Sequence, residues 1–451
     1  MSITFIALIA TAGVAALVAV LLLQQRRTPQ STLAWLMAVI LLPHIAVPLF
    51  LLLGFRKRGS GFRPIRYTKP SETSAAAGPL DELFRRFELP GATRGNSVEL
   101  LVDGITCWKR VVELVESAEH EIDVVFYVVA DDEVGQHFVD LLTERAAAGV
   151  RVRMMVDWLG GFRGPTGALR RLKRAGGEIR YFSPLLHMPE RGHVNLRNHR
   201  KLIMVDGTRV FAGGRNIGAY YMGPERRQDR WIDLSFVLEG PAVLSFADVF
   251  KSDWSMGRKN DERPKLDVHV DRVGDSVVQL VPSGPDSRFD PLHDALVNAI
   301  HSAQRRVWIA TPYFIPTEHL ENALATASRK GRDVRILMPR KSNQWSADIA
   351  RGPYIRSLQS AGARLLFVED GMMHAKMGVI DDTAWVGSAN FDVRSMLLNF
   401  ESTLVIYDPP GVEELARWFR EMQAHCSEGV ARVGVMRRAV EGLFRLGAPV
   451  L

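Results

Sequence analysis

The feature that most constrains the fold of this chain is an internal repeat of strand and helix patterns. The first copy has apolar strand-like runs and helical stretches, in order, at 98–104, 108–118, 122–129, 133–148 and 150–158. The second copy has them at 277–284, 292–303, 305–316, 318–330 and 333–339. Strands that alternate with helices of this length indicate βαβ units and a largely parallel sheet. The repeat therefore predicts an α/β protein with two similar halves, at 97–254 and 276–425.

A short polar motif occurs once in each copy. It consists of a histidine, a lysine two residues later and an aspartate seven residues after the histidine. These residues are His199, Lys201 and Asp206 in "HRKLIMVD" and His374, Lys376 and Asp381 in "HAKMGVID". Residues two apart on a strand share a face, so each histidine points the same way as its lysine. The aspartates belong to the predicted catalytic motif but fall at turns, where we expect them to fix the strand end rather than touch substrate.

Each copy also carries an asparagine on the adjoining strand. Asn216 follows His199 by 17 residues in "VFAGGRNIG", and Asn390 follows His374 by 16 residues in "AWVGSANFD". Both asparagines can reach the face that holds the histidine and lysine. A single His-x-Lys would more simply be a structural pair, but two copies in register predict a divided catalytic site.

Two histidines, two lysines and two asparagines make a cationic pocket that is rich in hydrogen-bond donors. Such a pocket suits phosphoryl transfer, because it stabilises charge on the non-bridging oxygens. One histidine can attack phosphorus while the other transfers protons, and the residues alone leave open which one attacks. Each imidazole needs an orienting carboxylate. We expect these from within the same copy: Asp233 for His199 and Glu401 for His374.

No metal site and no cofactor are expected. The two lysines would take the place of the divalent cation that phosphoryl transfer often uses. The chain has only two cysteines, Cys107 and Cys426, without zinc-site spacing, so a disulfide framework or structural zinc is not indicated.

The first 60 residues contain two uncharged runs, 3–23 and 32–55. About 20 apolar residues span a bilayer, so we predict a hairpin of two transmembrane helices at 1–60. A cleaved signal peptide is the alternative, but it would begin with basic residues and have a shorter apolar core. Pro43 and Pro48 interrupt the second run, which could instead be re-entrant.

A basic segment and linker, 61–96, follows this hairpin. Six basic residues without an intervening acid lie just after the second run: Arg56, Lys57, Arg58, Arg63, Arg66 and Lys69. The positive-inside rule places this cluster, and the catalytic part after it, in the cytoplasm. The cluster and the net charge of +7 also favour anionic lipid partners. In the C-terminal tail, 426–451, "VMRRAVEGLFRLG" could lie on a membrane as an amphipathic helix or simply pack on the protein.

The duplicated motif with its trailing asparagine resembles the phospholipase D superfamily. Within it, "NHRKLIMVDGTRVFAGGRNIG", "EGPAV", "ATPYFIPT" and "GSANFDVRSMLLNFE" are similar to bacterial cardiolipin synthases. The resemblance implies two pseudo-symmetric halves that meet at one active site, in a multi-pass protein of the bacterial inner membrane. It implies that His199 forms a phosphatidyl-histidine and that His374 is the general acid and base. It further implies phosphatidyl transfer between two phosphatidylglycerol molecules, with release of glycerol.

Three other functions fit parts of the sequence. A phospholipase D that hydrolyses lipids to phosphatidic acid would need the same residues. A nucleic-acid phosphodiesterase would explain the basic charge, but two membrane spans argue against it. A membrane scaffold with an inactive site would not need all six motif residues. We therefore expect phosphatidylglycerol, cardiolipin and the membrane as partners, and no nucleic acid. The headgroup preference and the oligomeric state stay open.

Overall fold

The computed structural model describes residues 3–24, 29–54, 62–68, 77–183, 195–256 and 271–447. The chain begins with three helices, α1 (Ile3–Gln24), α2 (Pro29–Leu41) and α3 (Pro43–Leu53). They form a small apolar cluster of their own, in which Val18 and Leu22 of α1 pack with Phe50 of α3. Within the described ranges, no helix combines the length and the apolar character that crossing a membrane requires. The two-span hairpin is therefore not confirmed.

The second apolar run differs from the single helix predicted at 32–55. It begins at Pro29 and is broken at Leu42, whose backbone angles (φ −136°, ψ 56°) are not helical. The residue before a proline is disfavoured in the α conformation, and proline is accepted at the first position of a new helix. Pro43 therefore ends α2 and starts α3.

The rest of the described chain contains twelve helices and seventeen strands. In chain order they are α4 (Pro79–Arg86), β1 (Thr93–Leu101), α5 (Gly104–Glu116), β2 (Glu121–Phe126), α6 (Glu133–Ala147), β3 (Arg151–Asp157), α7 (Thr166–Arg174), β4 (Glu178–Phe182), β5 (Leu202–Val205), β6 (Arg209–Gly213), β7 (Ser235–Glu239), α8 (Val243–Ser255), β8 (Ser276–Ser283), α9 (Pro291–Ser302), β9 (Arg306–Ala310), β10 (Phe314–Ile315), α10 (Glu318–Arg329), β11 (Asp333–Pro339), α11 (Trp345–Ala350), α12 (Gly352–Ser360), β12 (Arg364–Val368), β13 (Met377–Ile380), β14 (Thr383–Gly387), β15 (Phe391–Asp392), α13 (Val393–Leu397), β16 (Glu401–Ile406), α14 (Pro409–Gln423), β17 (Cys426–Glu428) and α15 (Val435–Leu446).

One sheet of fifteen strands runs through both halves, and its order exposes the repeat. Strands β1 and β8 pair at its centre, where Thr93 lies opposite Val278. Outward from β1 the order is β7, β6, β5, β2, β3, β4, and outward from β8 it is β16, β14, β13, β9, β11, β12, with β17 at that edge. The same order on both sides confirms the predicted α/β fold with two similar halves.

The expectation of a largely parallel sheet is wrong. Within the described residues, the parallel pairs of this sheet are β2–β3, β3–β4, β9–β11 and β11–β12, at the outer part of each half. The inner strands pair antiparallel, because tight turns after β5 and β13 return the chain directly to the next strand. The helical crossovers of the sequence pattern thus describe only the outer strands.

Segments beyond the predicted half boundaries also join the fold. Strand β1 begins at Thr93, inside the predicted linker, and β17, in the predicted tail, pairs with β12. Phe62 of the basic segment stacks on Phe182 and meets Phe400 edge-on, with ring centroids 5.0 Å apart in the second contact. Phe62 therefore packs against residues of both halves.

The direction of β5 and β13 decides where the site lies. Strand β5 is antiparallel to β2, so the residues before Leu202 lie at the carboxyl end of β2. Strand β13 is antiparallel to β9 in the same way, so the residues before Met377 lie at the carboxyl end of β9. His199 and His374, which precede these strands by three residues, are thus placed at the same edge of their half-sheets.

Candidate active site

The two histidine segments are held by the opposite half of the molecule. Asn198 forms a parallel bridge with Phe400, and Met373 forms the equivalent bridge with Ile232. The backbone N–H of His199 donates to the carbonyl of Phe400 at 2.9 Å, and that of His374 donates to the carbonyl of Ile232 at 2.7 Å. These bridges bring both halves to a single site.

Like the backbone bridges, the carboxylate contacts join the two halves: the carboxylate of each half contacts the histidine of the other. His199 Nδ1 lies 2.9 Å from Glu401 Oε2, and His374 Nδ1 lies 2.6 Å from Asp233 Oδ2. The predicted pairing within each copy is therefore wrong. Glu401 directly follows Phe400, and Asp233 directly follows Ile232, so the bridges of one half deliver each carboxylate to the histidine of the other.

A carboxylate beside Nδ1 favours the imidazole tautomer that carries its hydrogen on Nδ1. A carboxylate accepts from Nδ1–H, which leaves the Nε2 lone pair directed away from it. Burial lowers the pKa of His199, although Glu401 opposes that shift. Burial and, next, the charge of Lys376 lower the pKa of His374 to about 3. Both imidazoles are thus neutral near pH 7 in the unliganded protein.

Lys201 and Lys376 supply the positive charge of the site. Lys201 Nζ donates to the carbonyl of His199 at 2.6 Å. Lys376 Nζ donates to the carbonyl of His374 and lies 3.9 Å from Asp233 Oδ2. Burial lowers their pKa values to about 7 and about 8. Within the described ranges, no group of three or more His, Cys, Asp or Glu side chains is arranged to hold a metal ion.

The residue between His199 and Lys201 verifies the predicted alternation. Arg200 points away from the site and forms buried ion pairs with Asp253 at 2.5 Å and Asp286 at 2.8 Å. The histidine and lysine nevertheless precede the strand instead of lying on it, because β5 begins at Leu202. His199 and Lys201 therefore share one face of an extended segment before β5. The ion pairs of Arg200 hold this segment on its other face.

Asp206 and Asp381 lie at the turns, at the far end of β5 and β13 from the histidines. Both have positive φ angles, 50° and 47°. Asp206 accepts the backbone N–H groups of residues 119–121 at 2.8–2.9 Å, and Asp381 accepts those of residues 304–306 at 2.8–3.0 Å. These hydrogen bonds lower the pKa of both carboxyls against the opposing effect of burial. Each aspartate thus fixes the start of a neighbouring strand.

The asparagines follow β6 and β14, next to the histidine segments. Asn216 Oδ1 accepts the backbone N–H of Val128 at 3.2 Å, which fixes this amide beside the end of β2. Asn390 is buried, and its Oδ1 has no hydrogen-bond partner among the described residues. A buried amide oxygen without a partner is uncommon. The Nδ2 group of such an amide can donate a hydrogen bond to a phosphate oxygen.

The residue behind each carboxylate differs between the halves. Ser388 Oγ donates to Glu401 Oε2 at 2.6 Å. At the equivalent position, Gly214 leaves room for Asp233: a Cβ there would lie 2.2 Å from Asp233 Oδ1. The sequence motif marks both positions only as small residues, so it does not reveal this difference.

Aromatic side chains that the sequence analysis did not single out surround both imidazoles. Tyr127 meets His199 edge-on, with ring centroids 5.1 Å apart. His374 has Trp231 at 5.0 Å, Tyr221 at 5.7 Å and Tyr313 at 6.4 Å. Tyr127 comes directly after β2, and Tyr313 lies three residues after the end of β9. The carboxyl ends of those two apolar runs were therefore the signal that could have found them.

Comparison with known protein families decides the family. Residues 111–254 and 296–423 match the family model described as "Cardiolipin synthase, PLD-like domain". The chain belongs to this family. Residues 12–54 also match the model described as "Phospholipase_D-nuclease N-terminal". The resemblance read from the duplicated motif is thereby confirmed.

Relatives of this family member extend over nearly the whole chain. "Cardiolipin synthase 1" of Bacillus cereus is 33% identical, over 95% of this chain and 90% of the relative. "Cardiolipin synthase A" of Pseudomonas aeruginosa is 32% identical, over 94% and 90%. Among solved structures, the phosphatidylserine synthase of Haemophilus influenzae matches with a TM-score of 0.63 at 16% identity, over 83% of this chain and 98% of that one. At that identity the match supports the fold alone.

Proposed function

We propose that this protein is a phosphatidyltransferase that makes cardiolipin from two phosphatidylglycerol molecules and releases glycerol. The observation that carries the proposal is the crossed pair of histidines. Each histidine has a lysine beside it and a carboxylate from the other half on its Nδ1. The near full-length similarity to proteins named cardiolipin synthase supports the choice of substrate.

In the first step, Nε2 of His199 attacks the phosphorus of one phosphatidylglycerol. The P–N bond forms, and the P–O bond to the glycerol headgroup breaks. His374 donates its Nε2 proton to the departing glycerol oxygen, which leaves as glycerol. His374 is neutral in the unliganded protein and takes up this proton from solvent when the phosphodiester anion binds, because the anion offsets the nearby lysine charge and so favours the imidazolium. Lys201, Lys376, Asn216 and Asn390 bind the non-bridging oxygens.

In the second step, neutral His374 removes the proton from a primary hydroxyl of a second phosphatidylglycerol. The hydroxyl oxygen attacks phosphorus, the P–N bond breaks, and His199 is regenerated. Glu401 accepts the Nδ1 hydrogen of His199 throughout and so stabilises positive charge on that ring. Water in place of the lipid hydroxyl would give phosphatidic acid, so exclusion of water from this step decides between transfer and hydrolysis.

The N-terminal helices attach the enzyme to the membrane in this proposal, as two spans with the catalytic part on the cytoplasmic side. The exposed apolar side chains of α1–α3 support it. Half or more of the side-chain surface is exposed at Leu17, Leu23, Leu33 and Ile40. Large apolar groups grouped in this way require an apolar partner.

The test is product identification with the purified full-length protein and phosphatidylglycerol in detergent. We expect cardiolipin and glycerol in equal amounts. Phosphatidic acid and glycerol without cardiolipin would instead make the protein a hydrolase. A His199→Ala/His374→Ala double variant serves as the blank. If the parent protein forms neither lipid product above this blank, the proposed function is wrong.

A further inference from the structure

The C-terminal helix α15 carries an apolar surface that faces away from the protein. Met436, Val440 and Leu443 recur at helical spacing on one side, and Val435 precedes them. Val435 is 83% exposed, Met436 80% and Leu443 66%. Trp345, at the start of α11, is 67% exposed. We call these five residues the C-terminal apolar face.

The helix is held in this orientation by the contacts of Phe444 and Glu441 with the rest of the protein. Phe444 packs edge-on against Trp345, with ring centroids 5.5 Å apart. Glu441 is buried and pairs with Arg356 of α12 at 2.5 Å and with Arg437 at 3.0 Å. Rotating α15 to bury its apolar side would break the ion pair between the buried Glu441 and Arg356 of α12, which is costly. The face therefore remains outward in the folded protein.

The charges beside the face are basic. Arg432, Arg437 and Arg438 are exposed around the start of α15, and Arg445 is exposed near its end. The single acid of the helix, Glu441, is buried and paired. An apolar stripe with cationic flanks is complementary to an anionic lipid surface, where apolar side chains enter the interface and arginines meet headgroups.

The face adjoins the active site through a short chain of contacts. Asn343 lies two residues before Trp345, and its Oδ1 accepts from the hydroxyl of Tyr313 at 2.5 Å. Tyr313 is in turn one of the aromatic residues around His374. Trp345 is thus the first residue after the loop that follows β11, at the rim of the second half-site.

The first half has an apolar counterpart in the equivalent loop after β3. Leu159 is 54% exposed and Phe162 is 68% exposed. Between them, Gly160 packs on the residue that meets His199, since a Cβ at Gly160 would lie 2.1 Å from the carbonyl oxygen of Tyr127. Exposed apolar groups therefore stand at the rim of both half-sites, at the edge where the histidines lie.

We propose that the C-terminal apolar face docks on an anionic phospholipid bilayer and turns the rim of the active site toward the lipid headgroups. The docking contact is separate from the N-terminal helices. The inference rests on the proposed function only in that a lipid substrate gives such docking a purpose.

A local probe tests the docking in the full-length protein, where overall binding would be dominated by the N-terminal helices. Leu443→Cys carries an environment-sensitive fluorophore in a Cys426→Ser background, because Cys107 is buried. Val273→Cys, an exposed apolar position elsewhere, is the matched control. In vesicles containing phosphatidylglycerol, we expect blue-shifted emission that lipid-borne quenchers reduce at position 443 and not at 273. Emission at 443 equal to that at 273 would overturn the proposal. A lipid-independent shift that grows with protein concentration would assign the face to a second copy of the chain.

Activity gives the second readout. Met436→Ser/Leu443→Ser should lower kcat/KM for long-chain phosphatidylglycerol in vesicles about tenfold, because two apolar side chains no longer enter the interface. Met436→Leu/Leu443→Met keeps the surface apolar and should behave as the parent protein. Both variants should turn over short-chain phosphatidylglycerol below its micellar concentration at the parental rate. Equal loss with both lipids would contradict docking. No product from the parent protein in either format would defeat the proposed function, while the fluorophore would still report docking.

Discussion

The two halves of the molecule share a backbone plan and differ in the chemistry they bring to the site. Each presents a histidine and a lysine before an antiparallel strand, and each sends a carboxylate across to the other half. His199 is paired with a glutamate that also accepts from Ser388. His374 is paired with the shorter Asp233, and its ring also contacts Lys376 Nζ at 2.7 Å. Duplication has therefore conserved the geometry and left the two imidazoles in unequal environments.

Because the carboxylates cross between the halves, neither half contains a complete site by itself. The carboxylate of each histidine lies 202 or 141 residues away, in the other repeat. The unequal surroundings also give a reason for unequal roles. His199 has Glu401, Ser388 and Tyr127 around it, whereas His374 lies among Tyr221, Trp231 and Tyr313.

The largest expected effect separates the two histidines. His199→Ala should reduce transfer about 10⁴-fold or more, since the proposed nucleophile is lost. His374→Ala should be as severe with phosphatidylglycerol, but should retain adduct formation with a p-nitrophenyl phosphatidyl ester, whose leaving group needs no proton. The measurement is the stoichiometric burst of p-nitrophenol. A burst from His199→Ala and none from His374→Ala would reverse the assigned roles.

The crossed carboxylates come next. Glu401→Gln and Asp233→Asn should each lower turnover about 10²–10⁴-fold, because an amide can favour the wrong imidazole tautomer. With the p-nitrophenyl ester, Glu401→Gln should slow the burst, since Glu401 contacts His199, the proposed nucleophile. Asp233→Asn should spare it. If Asp233→Asn slowed the burst and Glu401→Gln did not, the carboxylates would act within their own repeats. Unchanged thermal unfolding is the control for folding.

The sequence predicted both histidine–lysine segments as candidate catalytic segments, because they are local and repeated, and it predicted two α/β halves from their alternating patterns. It did not predict the partners of His199 and His374. The bridges at Phe400 and Ile232 join residues from different repeats. The spacing of residues within one repeat does not predict a contact between two repeats. The antiparallel inner strands were missed for a related reason. The turns at Asp206 and Asp381 are too short for helical crossovers. The prediction of a parallel sheet was based on the alternation of strands and helices, which applies only to the outer strands.

The lysines predict a pH dependence. Burial lowers the pKa of Lys201 to about 7 and that of Lys376 to about 8. The protonated forms attract the phosphodiester anion and are lost as the pH rises through these values. We therefore expect kcat/KM for short-chain phosphatidylglycerol to begin falling near pH 7 and to fall more steeply above pH 8, about tenfold per pH unit for each lysine that must be protonated. Lys201→Ala and Lys376→Ala should each lower the rate and make the alkaline limb shallower. A flat profile to pH 9.5 would show that neither lysine titrates as described.

The smallest effect concerns the hydroxyl that only one half possesses. Ser388 Oγ donates to Glu401 at 2.6 Å, and Gly214 has no counterpart to offer Asp233. Ser388→Ala should weaken the hold on Glu401 by about 1 kcal/mol, which corresponds to roughly a fivefold loss in kcat. Ser395→Ala is the matched control, because Ser395 is also buried but its Oγ has no hydrogen-bond partner among the described residues. The loss should appear in the burst with the p-nitrophenyl ester, since Glu401 acts on His199. If Ser388→Ala and Ser395→Ala were equally active, the contact with His199 alone would be enough to position Glu401. Ser388 would then be a difference in packing between the halves, without an effect on the chemistry.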